Sequence, residues 1–485
     1  MQNQWRNYDS QNLRLEISML LANLLRSFSE EEIAKVRADF QLAERSRLLF
    51  ERIAASADTP PDSENLAKAL RISTENLYCL NSEIVDECVR ILAPNEEFAT
   101  MNFFQSKYLY RPFVTEAHRT EKLLLREHDR KRLEKFYEYV FVHIFQFPAD
   151  LIDLDLAEEF GYKWHHIREN PPADDELYIR LRVIAYRIGA LSKKKKMTIA
   201  QMSISARSFL DPITEHAASS TNPLVRHEYF QAEWKSSVYA NLDPKMQIEW
   251  LRRSLYIIRE HPSLFAPELE ESVELQIAYE LAMNCDRAPE GLGIFKKFYH
   301  GQTPTTPSGA LYLVRFCRVA FLARDFETTA KMVAEFITYQ DALTTPTIYV
   351  SALLTKTMLE IVKNAAEAAS ETIEIAKASN HAHFSLANEV VIRGLETAIA
   401  LKKNDFAVAE QLVERNSKWL RSRRLLLPTT SWIYFYQIIG EIINYRMMRE
   451  PIRASILEHF TNDFRNEYPE FYFLLEQEIR EVTAA

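Results

Sequence analysis

The chain predicts an all-α architecture of stacked helical hairpins, and three observations lead there. Glycine is scarce, 8 of 485 residues, against a usual level of about 7%. Folds that need positive φ or a close phosphate contact, such as Rossmann, P-loop and β-hairpin architectures, therefore fit poorly. No Val/Ile/Thr-rich alternating segment stands out as a strand. Finally, a two-helix pattern recurs about every 40 residues, with prolines at the breaks between helices, where proline is tolerated. A chain of this length exceeds one ordinary core, so several domains or one extended array are expected.

Residues 1–115 read as an N-terminal helical module. A first helix is expected from Gln11 to Ser27. Ser29 with Glu32 makes a capping box for a second, from Glu30 to Ala55. Asp58-Thr59-Pro60-Pro61-Asp62 breaks the chain. The segment 63–92 has helix-turn-helix spacing, with Leu66, Ala67, Leu70, Ile72, Ser73 and Leu77 at its apolar and turn positions. A DNA-binding reading would place Ser73, Thr74, Asn76 and Tyr78 at the start of a recognition helix. Against it, Arg71 stands where glycine is common, and Pro60 to Asn95 carries six acids and three bases, a poor footprint for phosphates. Pro94 and Pro112 bracket a connector rich in aromatics.

Residues 116–148 are expected to form one long bridging helix. It is mixed-charge around Leu123, Leu124 and Leu125, then dense in aromatics from Phe136 to Phe147. Arg119, Lys122, Arg126, Arg130, Lys131 and Arg132 read first as a solvated face with i,i+4 pairs and only second as a nucleic-acid contact.

Residues 149–485 carry the hairpin rhythm. The helix from Ala310 to Ala323 is apolar nearly all round, so it must be covered on more than one side. Arg324-Asp325 makes the turn, with Asp325 able to cap the next helix. That helix is apolar on one face only, through Phe326, Ala330, Met332, Val333, Phe336 and Ile337. Neither closes a core alone, and stacking on further copies solves the problem. Leu395 to Leu420 matches it, with a turn at Asn404-Asp405, then Phe406 and Val413. Thr345 to Ser379 supplies the hairpin between, turning at Lys363-Asn364. Other turns are expected near Pro148, Lys193 to Lys196, Asn241 to Pro244, Asp286 to Gly291, and Arg449 to Pro451, with Pro212 in a loop. The last helix, Glu470 to Val482, is expected to cap the stack.

The turn with Asp405, the aromatics Phe326 and Phe406 opening second helices, and the small Ala409 resemble tetratricopeptide-like repeats. The chain departs from that family at Thr329, where alanine is usual, and at Cys317 and Thr397, where the first helix carries a small residue. Its period is also about 40 rather than 34. The resemblance implies an α-solenoid whose groove is lined by first helices, with groove positions at Val314, Arg315, Arg318, Gly394 and Ala398. The family's Lys/Asn clamp for acidic chaperone tails is not matched at these places.

Chemistry-bearing motifs are thin. Adjacent His165 and His166 point about 100° apart on a helix and cannot share a metal from one face. His381 and His383 lack an obvious third ligand. No HExxH, GxSxG or Cys/His zinc spacing occurs. Acidic pairs such as Asp153/Asp155 and Asp174/Asp175 fit helix ends. Lys193 to Lys196 and Arg421, Arg423 and Arg424 are the basic runs. Cys79, Cys88, Cys285 and Cys317 form no CxxC and read as reduced thiols. A net charge of −9 does not suit a surface that tracks nucleic acid or anionic lipid throughout. With no signal pattern and no spanning segment, the chain reads as cytoplasmic.

The expected function is therefore a non-enzymatic scaffold or adaptor without cofactor or metal, binding a protein or peptide in its groove. Arg315, Arg318, Arg393, Tyr434 and Tyr436 are the candidate contacts. A transcriptional regulator with an N-terminal helix-turn-helix and a sensing tetratricopeptide-like domain is the alternative, with nucleic acid as its second partner. The partner's identity and the oligomeric state are left open.

Overall fold

The computed structural model describes residues 21, 24–25, 28–55, 63–93, 97–107, 109–147, 152–172, 174–191, 197, 199–240, 243–284, 286–299, 307–338, 346–378, 386–423 and 431–483. The described residues are helical, with no strand among them. The chain divides into two compact units, 1–169 and 170–485. The expected Gln11 to Ser27 helix, the Pro60-Pro61 break, Lys193 to Lys196, Cys285, His381 and His383 all lie outside the described residues or nearly so.

In the first unit, α1 (Glu30–Asp39), α2 (Glu44–Ala55) and α3 (Ser63–Leu70) all pack on α4 (Thr74–Leu92). Where one helix was expected from Glu30 to Ala55 there are two. Phe40 leaves the helical region and its ring packs against Phe50, 5.4 Å between centroids. Ser29 and Glu32 do form the capping box. Arg71, between α3 and α4, adopts φ 52°. It takes the left-handed position that ends α3, and the Ile72 amide donates back to the Ala67 carbonyl at 3.1 Å. Ser73 then caps α4 by accepting from the Asn76 amide.

After α5 (Ala99–Ser106), the expected long helix is also divided, into α6 (Tyr110–Glu127) and α7 (Arg130–Ile144). His128 ends α6 at φ 55°, and the Asp129 side chain caps α7 by accepting from the Arg132 amide. The break lets α7 pack back on α6 and on α8 (Leu154–Ile167). The expected body, starting at 149, thus begins with a helix that belongs to the first unit. Glu121 ties α6 to its neighbours by accepting from the Tyr137 hydroxyl at 3.0 Å and the Lys163 ammonium at 2.8 Å. Burial alone would raise its carboxyl. Hydrogen bonds from His118, Lys163 and Tyr137, with the charge on Lys163, outweigh that and bring it down to about 2.

The second unit is a succession of hairpins. Each pairs a first helix with a second: α9 (Asp175–Ala190) with α10 (Ile199–Ser219), α11 (Pro223–Tyr239) with α12 (Pro244–Glu260), and α13 (Pro267–Asn284) with α14 (Ala288–Phe298). Then come α15 (Pro307–Leu322) with α16 (Phe326–Thr338), α17 (Pro346–Val362) with α18 (Ala366–Ala378), and α19 (Leu386–Lys402) with α20 (Phe406–Ser422). Next, α21 (Trp432–Met448) precedes α22 (Ala454–His459), which runs on through a π-helical turn, Phe460–Phe464. The chain closes with α23 (Pro469–Thr483). First helices form a row: α9 packs on α11, and α13, α15, α17, α19 and α21 each pack on the next.

The forty-residue spacing is exact across three hairpins. Arg324, Asn364 and Asn404 all adopt φ between 57° and 60°. In each turn the following amide (Asp325, Ala365, Asp405) donates to the carbonyl five residues back, the hydrogen bond that closes a helix with a left-handed residue. Cys317, Thr357 and Thr397 are fully buried at one shared position, and Thr329, Ala369 and Ala409 at another. The threonines at these sites satisfy their hydroxyls on the carbonyl four residues back, as Thr329 does on Asp325 and Thr397 on Arg393.

Two residues expected at breaks lie inside helices. Pro212 lies inside α10 rather than in a loop. It sits on the exposed side, where water can meet the carbonyl that its ring leaves without a donor. Gly291 lies inside α14, where an added Cβ would fall 2.4 Å from the Ala278 carbonyl oxygen. Its role is close helix approach, not turning.

Candidate functional site

The exposed face of the first-helix row divides into two stretches. Over its C-terminal part, α23 lies along the row and packs on α15, α17 and α21. It does not merely cap the end, as the sequence suggested. It runs parallel to the last two turns of α15 in constant register. Glu470 meets Arg318, Phe473 meets Phe321 with ring centroids 6.5 Å apart, and Glu476 meets Arg324 at 2.7 Å. Glu478 pairs with Lys402 at 2.5 Å, each side chain only 7% exposed. Phe471, Leu474, Leu475, Ile479 and Val482 are buried beneath. At about 1.5–3 kcal/mol for each such side chain, this face contributes on the order of 10 kcal/mol. Displacing it would cost as much as a whole domain's stability, so α23 is a fixed part of the unit.

Toward the N-terminal part, a polar ladder joins α13 to α15. Ser272 bonds Tyr312, Arg315 donates to Gln276 at 2.6 Å, and Arg318 donates to the Tyr279 hydroxyl at 3.0 Å. The Arg315 guanidinium also sits 5.0 Å from the Tyr279 ring centre. Further along, α9 presents Tyr178, Arg182 and Tyr186 on one face, four residues apart. Opposite them α11 presents Glu228 and Lys235. Arg182 donates to the Tyr178 hydroxyl at 2.6 Å and lies 3.5 Å from the Glu228 carboxylate. The Lys235 ammonium rests 4.8 Å from the Tyr186 ring centre. Its ammonium makes no hydrogen bond or ion pair among the described residues.

The electrostatics follow from enclosure. Burial lowers the Lys235 ammonium from its ordinary value. Glu228 pulls it back up, and Arg182 pushes it further down. Burial likewise lowers His227, which shares a hydrogen bond with Ser254 at 2.9 Å, and raises the Tyr186 phenol to about 12. Tyr312 adds to the rise in Tyr186 as the smallest of its causes. Yet Arg182 keeps 21% and Arg318 35% of the side chain in solvent.

The sequence-chosen contacts are distributed unevenly. Arg315 and Arg318 stand on this face, but Arg318 is engaged by Glu470, itself 2% exposed. Arg393 is braced internally by Glu389, by Asn416 and by the Trp419 ring, 4.5 Å away. Tyr434 stacks on His459 with ring centroids 4.7 Å apart. Tyr436 is 1% exposed, packed beside Trp432 and Phe435, so its ring cannot serve as a surface anchor. Val314 and Ala398 are core, and Gly394 faces Trp432 and Phe471. Of these three groove assignments, Gly394 meets α23 through Phe471, and Val314 and Ala398 belong to the hydrophobic core. Tyr178, Arg182, Tyr186, Glu228 and Lys235 were not singled out from sequence. Their i, i+4, i+8 and i, i+7 spacings were visible, but nothing local marked them from an ordinary solvated face.

Elsewhere, Ser73 and Asn76 are exposed at the start of α4. Arg119, Arg130 and Arg132 lie beside carboxylates at Glu116, Glu169 and Glu97. Cys88 and Cys317 are buried and Cys79 is exposed. The rings of His165 and His166 are 5.3 Å apart, and no group of three or more metal-ligating residues is gathered among the described residues. No described helix is long and apolar enough to cross a membrane. Compared with known proteins, the chain matches no family model, no curated protein and no solved structure.

Proposed function

We propose that the hairpins of residues 170–485 are degenerate tetratricopeptide-like repeats, and that the chain is a non-enzymatic cytoplasmic scaffold capturing a protein or peptide on the first-helix face. One observation carries this reading: the face already holds a helix. The chain's own α23 lies on it through paired acids and bases around a phenylalanine contact. The neighbouring stretch, from Tyr178 to Arg315, offers the same mixture of guanidinium, ammonium and aromatic groups. Helix-in-groove capture uses this chemistry. The test is affinity capture of the tagged full chain from its native extract, comparing wild type with Arg315→Ala. One stoichiometric protein partner, weakened by the variant at unchanged helicity, is expected. Absence of any protein partner would overturn the reading.

The alternative, a transcriptional regulator, is favoured by one local feature. The left-handed Arg71 and the Ser73 cap join α3 to α4 through a tight turn, with Ser73 and Asn76 exposed, as that reading requires. In that case the full chain should bind duplex DNA with a steep salt dependence. Salt-independent or absent retention would remove it.

A further inference from the structure

We infer that Lys235, with Arg182 and the rings of Tyr178 and Tyr186, forms a subsite that receives a side-chain carboxylate of an acidic amphipathic helix laid on the first-helix face. This rests on the scaffold reading above and names the chemistry of its partner.

Three observations converge on it. The first is charge. Arg182 lies 3.5 Å from the Glu228 carboxylate, and Asp175 also acts on Tyr178. Lys235 rests on the Tyr186 ring and makes no ion pair among the described residues, feeling Glu228 only at longer range. An enclosed ammonium without an anion is costly unless something pairs with it. The second is shape. Tyr178, Arg182 and Tyr186 lie on one face of α9, and Glu228 and Lys235 on the facing side of α11, so the cations line a strip and not a point. The third is precedent in the same molecule. Where α23 covers the row, carboxylates of a helix meet the basic residues of first helices: Glu470 with Arg318, Glu476 with Arg324 and Glu478 with Lys402. The α9–α11 pair carries a cation, Lys235, without such a carboxylate at ion-pair distance. Burial keeps His227 from protonating readily, so it adds no competing positive charge.

A helix is the favoured occupant over a free anion because aromatic rings flank the cations. Tyr186, Tyr279 and Tyr312 offer area for apolar side chains, as Phe321 does for Phe473.

The probe is a fluorescently labelled peptide with the sequence of Pro469–Thr483, added to the full-length protein. The resident α23 is tethered beside its own place, so exchange there is suppressed by its high effective concentration. Binding is expected to weaken tenfold or more in Lys235→Met and Lys235→Glu, to be kept in Lys235→Arg, and to be lost when the peptide's glutamates are replaced by glutamine. Bound peptide is also expected to protect Lys235 from acylation, read by mass spectrometry. A melting temperature no lower than that of wild type, with unchanged helicity, in Lys235→Met separates the effect from misfolding.

Absence of peptide binding, or equal binding by wild type and Lys235→Met, would overturn the subsite. So would loss only in Arg324→Met, which marks exchange with α23, or equal protection of Lys235 by millimolar inorganic phosphate, which marks a small-anion site. If a native partner is captured equally well by wild type and Lys235→Met, the subsite falls while the scaffold reading stands. If no partner is captured at all, the scaffold reading falls.

Discussion

The two stretches of the first-helix face share helices of the same kind and differ in what lies over them. From Arg318 to Arg446 the face is covered by α23, and the acids of that helix meet cations: Arg318, Arg324, Lys402 and Arg446. From Tyr178 to Arg315 the residues are polar, aromatic and partly wetted, and the Lys235 ammonium rests on a ring with no ion pair among the described residues. The lesson is electrostatic. A charged residue on a helix face is structural where a counter-charge is supplied in the same chain, and is available for another molecule where it is not.

Removing the cover tests this most severely. A chain ending at Glu467 should lose on the order of 10 kcal/mol of apolar burial. That exceeds ordinary domain stability, so the 307–467 portion is expected to melt by circular dichroism while the first unit keeps its own transition. A retained cooperative transition of full size would show that α23 is dispensable. Arg318→Ala should cost about 3 kcal/mol in denaturant midpoint, because it leaves Glu470 buried without its cation. The second oxygen of that carboxylate already lacks a partner, so little can compensate. Gly394→Ala should cost about 2 kcal/mol, since its Cβ would fall 2.7 Å from the Trp432 ring and 3.0 Å from that of Phe471.

The smallest effect has the opposite sign and comes from the open stretch. Lys235→Met should be stabilising, by about 1 kcal/mol, because it removes a poorly compensated charge. The folded state lowers this ammonium below its ordinary 10.5. Between its folded and unfolded values the unfolded chain binds more protons, so wild-type stability rises with pH there. The advantage of methionine should be full below the folded value and vanish as pH approaches 10.5. A destabilised Lys235→Met at neutral pH would mean that the ammonium is satisfied within the chain, and the contrast between the two stretches would disappear.

Much of the hairpin architecture was legible in local pattern. Asp325, Asn364 and Asp405 marked turns that the structure places there, and the buried Cys317 and Thr397 fell at one shared position. The same reasoning failed at Glu30 to Ala55 and at 116–148, where amphipathic pattern continues across a chain reversal. His128 and Phe40 are not residues that announce a break. His128 takes a left-handed conformation that a glycine would have advertised, and Arg71, Arg324 and Arg449 do likewise. In a chain this poor in glycine, helix ends are written in hydrogen-bond geometry instead of residue type. Of the candidate contacts, Arg315 hydrogen-bonds Gln276 on the neighbouring first helix, whereas the Tyr436 ring is buried. Aromatic character alone does not separate an anchor from a core ring.

By itself, then, the sequence determined that the chain is helical, where most helices of residues 170–485 turn, and which positions recur every forty residues. Periodicity, proline placement and capping act over a few residues and need no knowledge of distant chain. Only the tertiary structure decided that α23 returns over α15, 152 residues away in sequence. It alone decided that Arg318 is thereby paired and Lys235 is not. Charge compensation is a property of space, and whether a cation is buried with a partner depends on which distant carboxylate the packing brings to it.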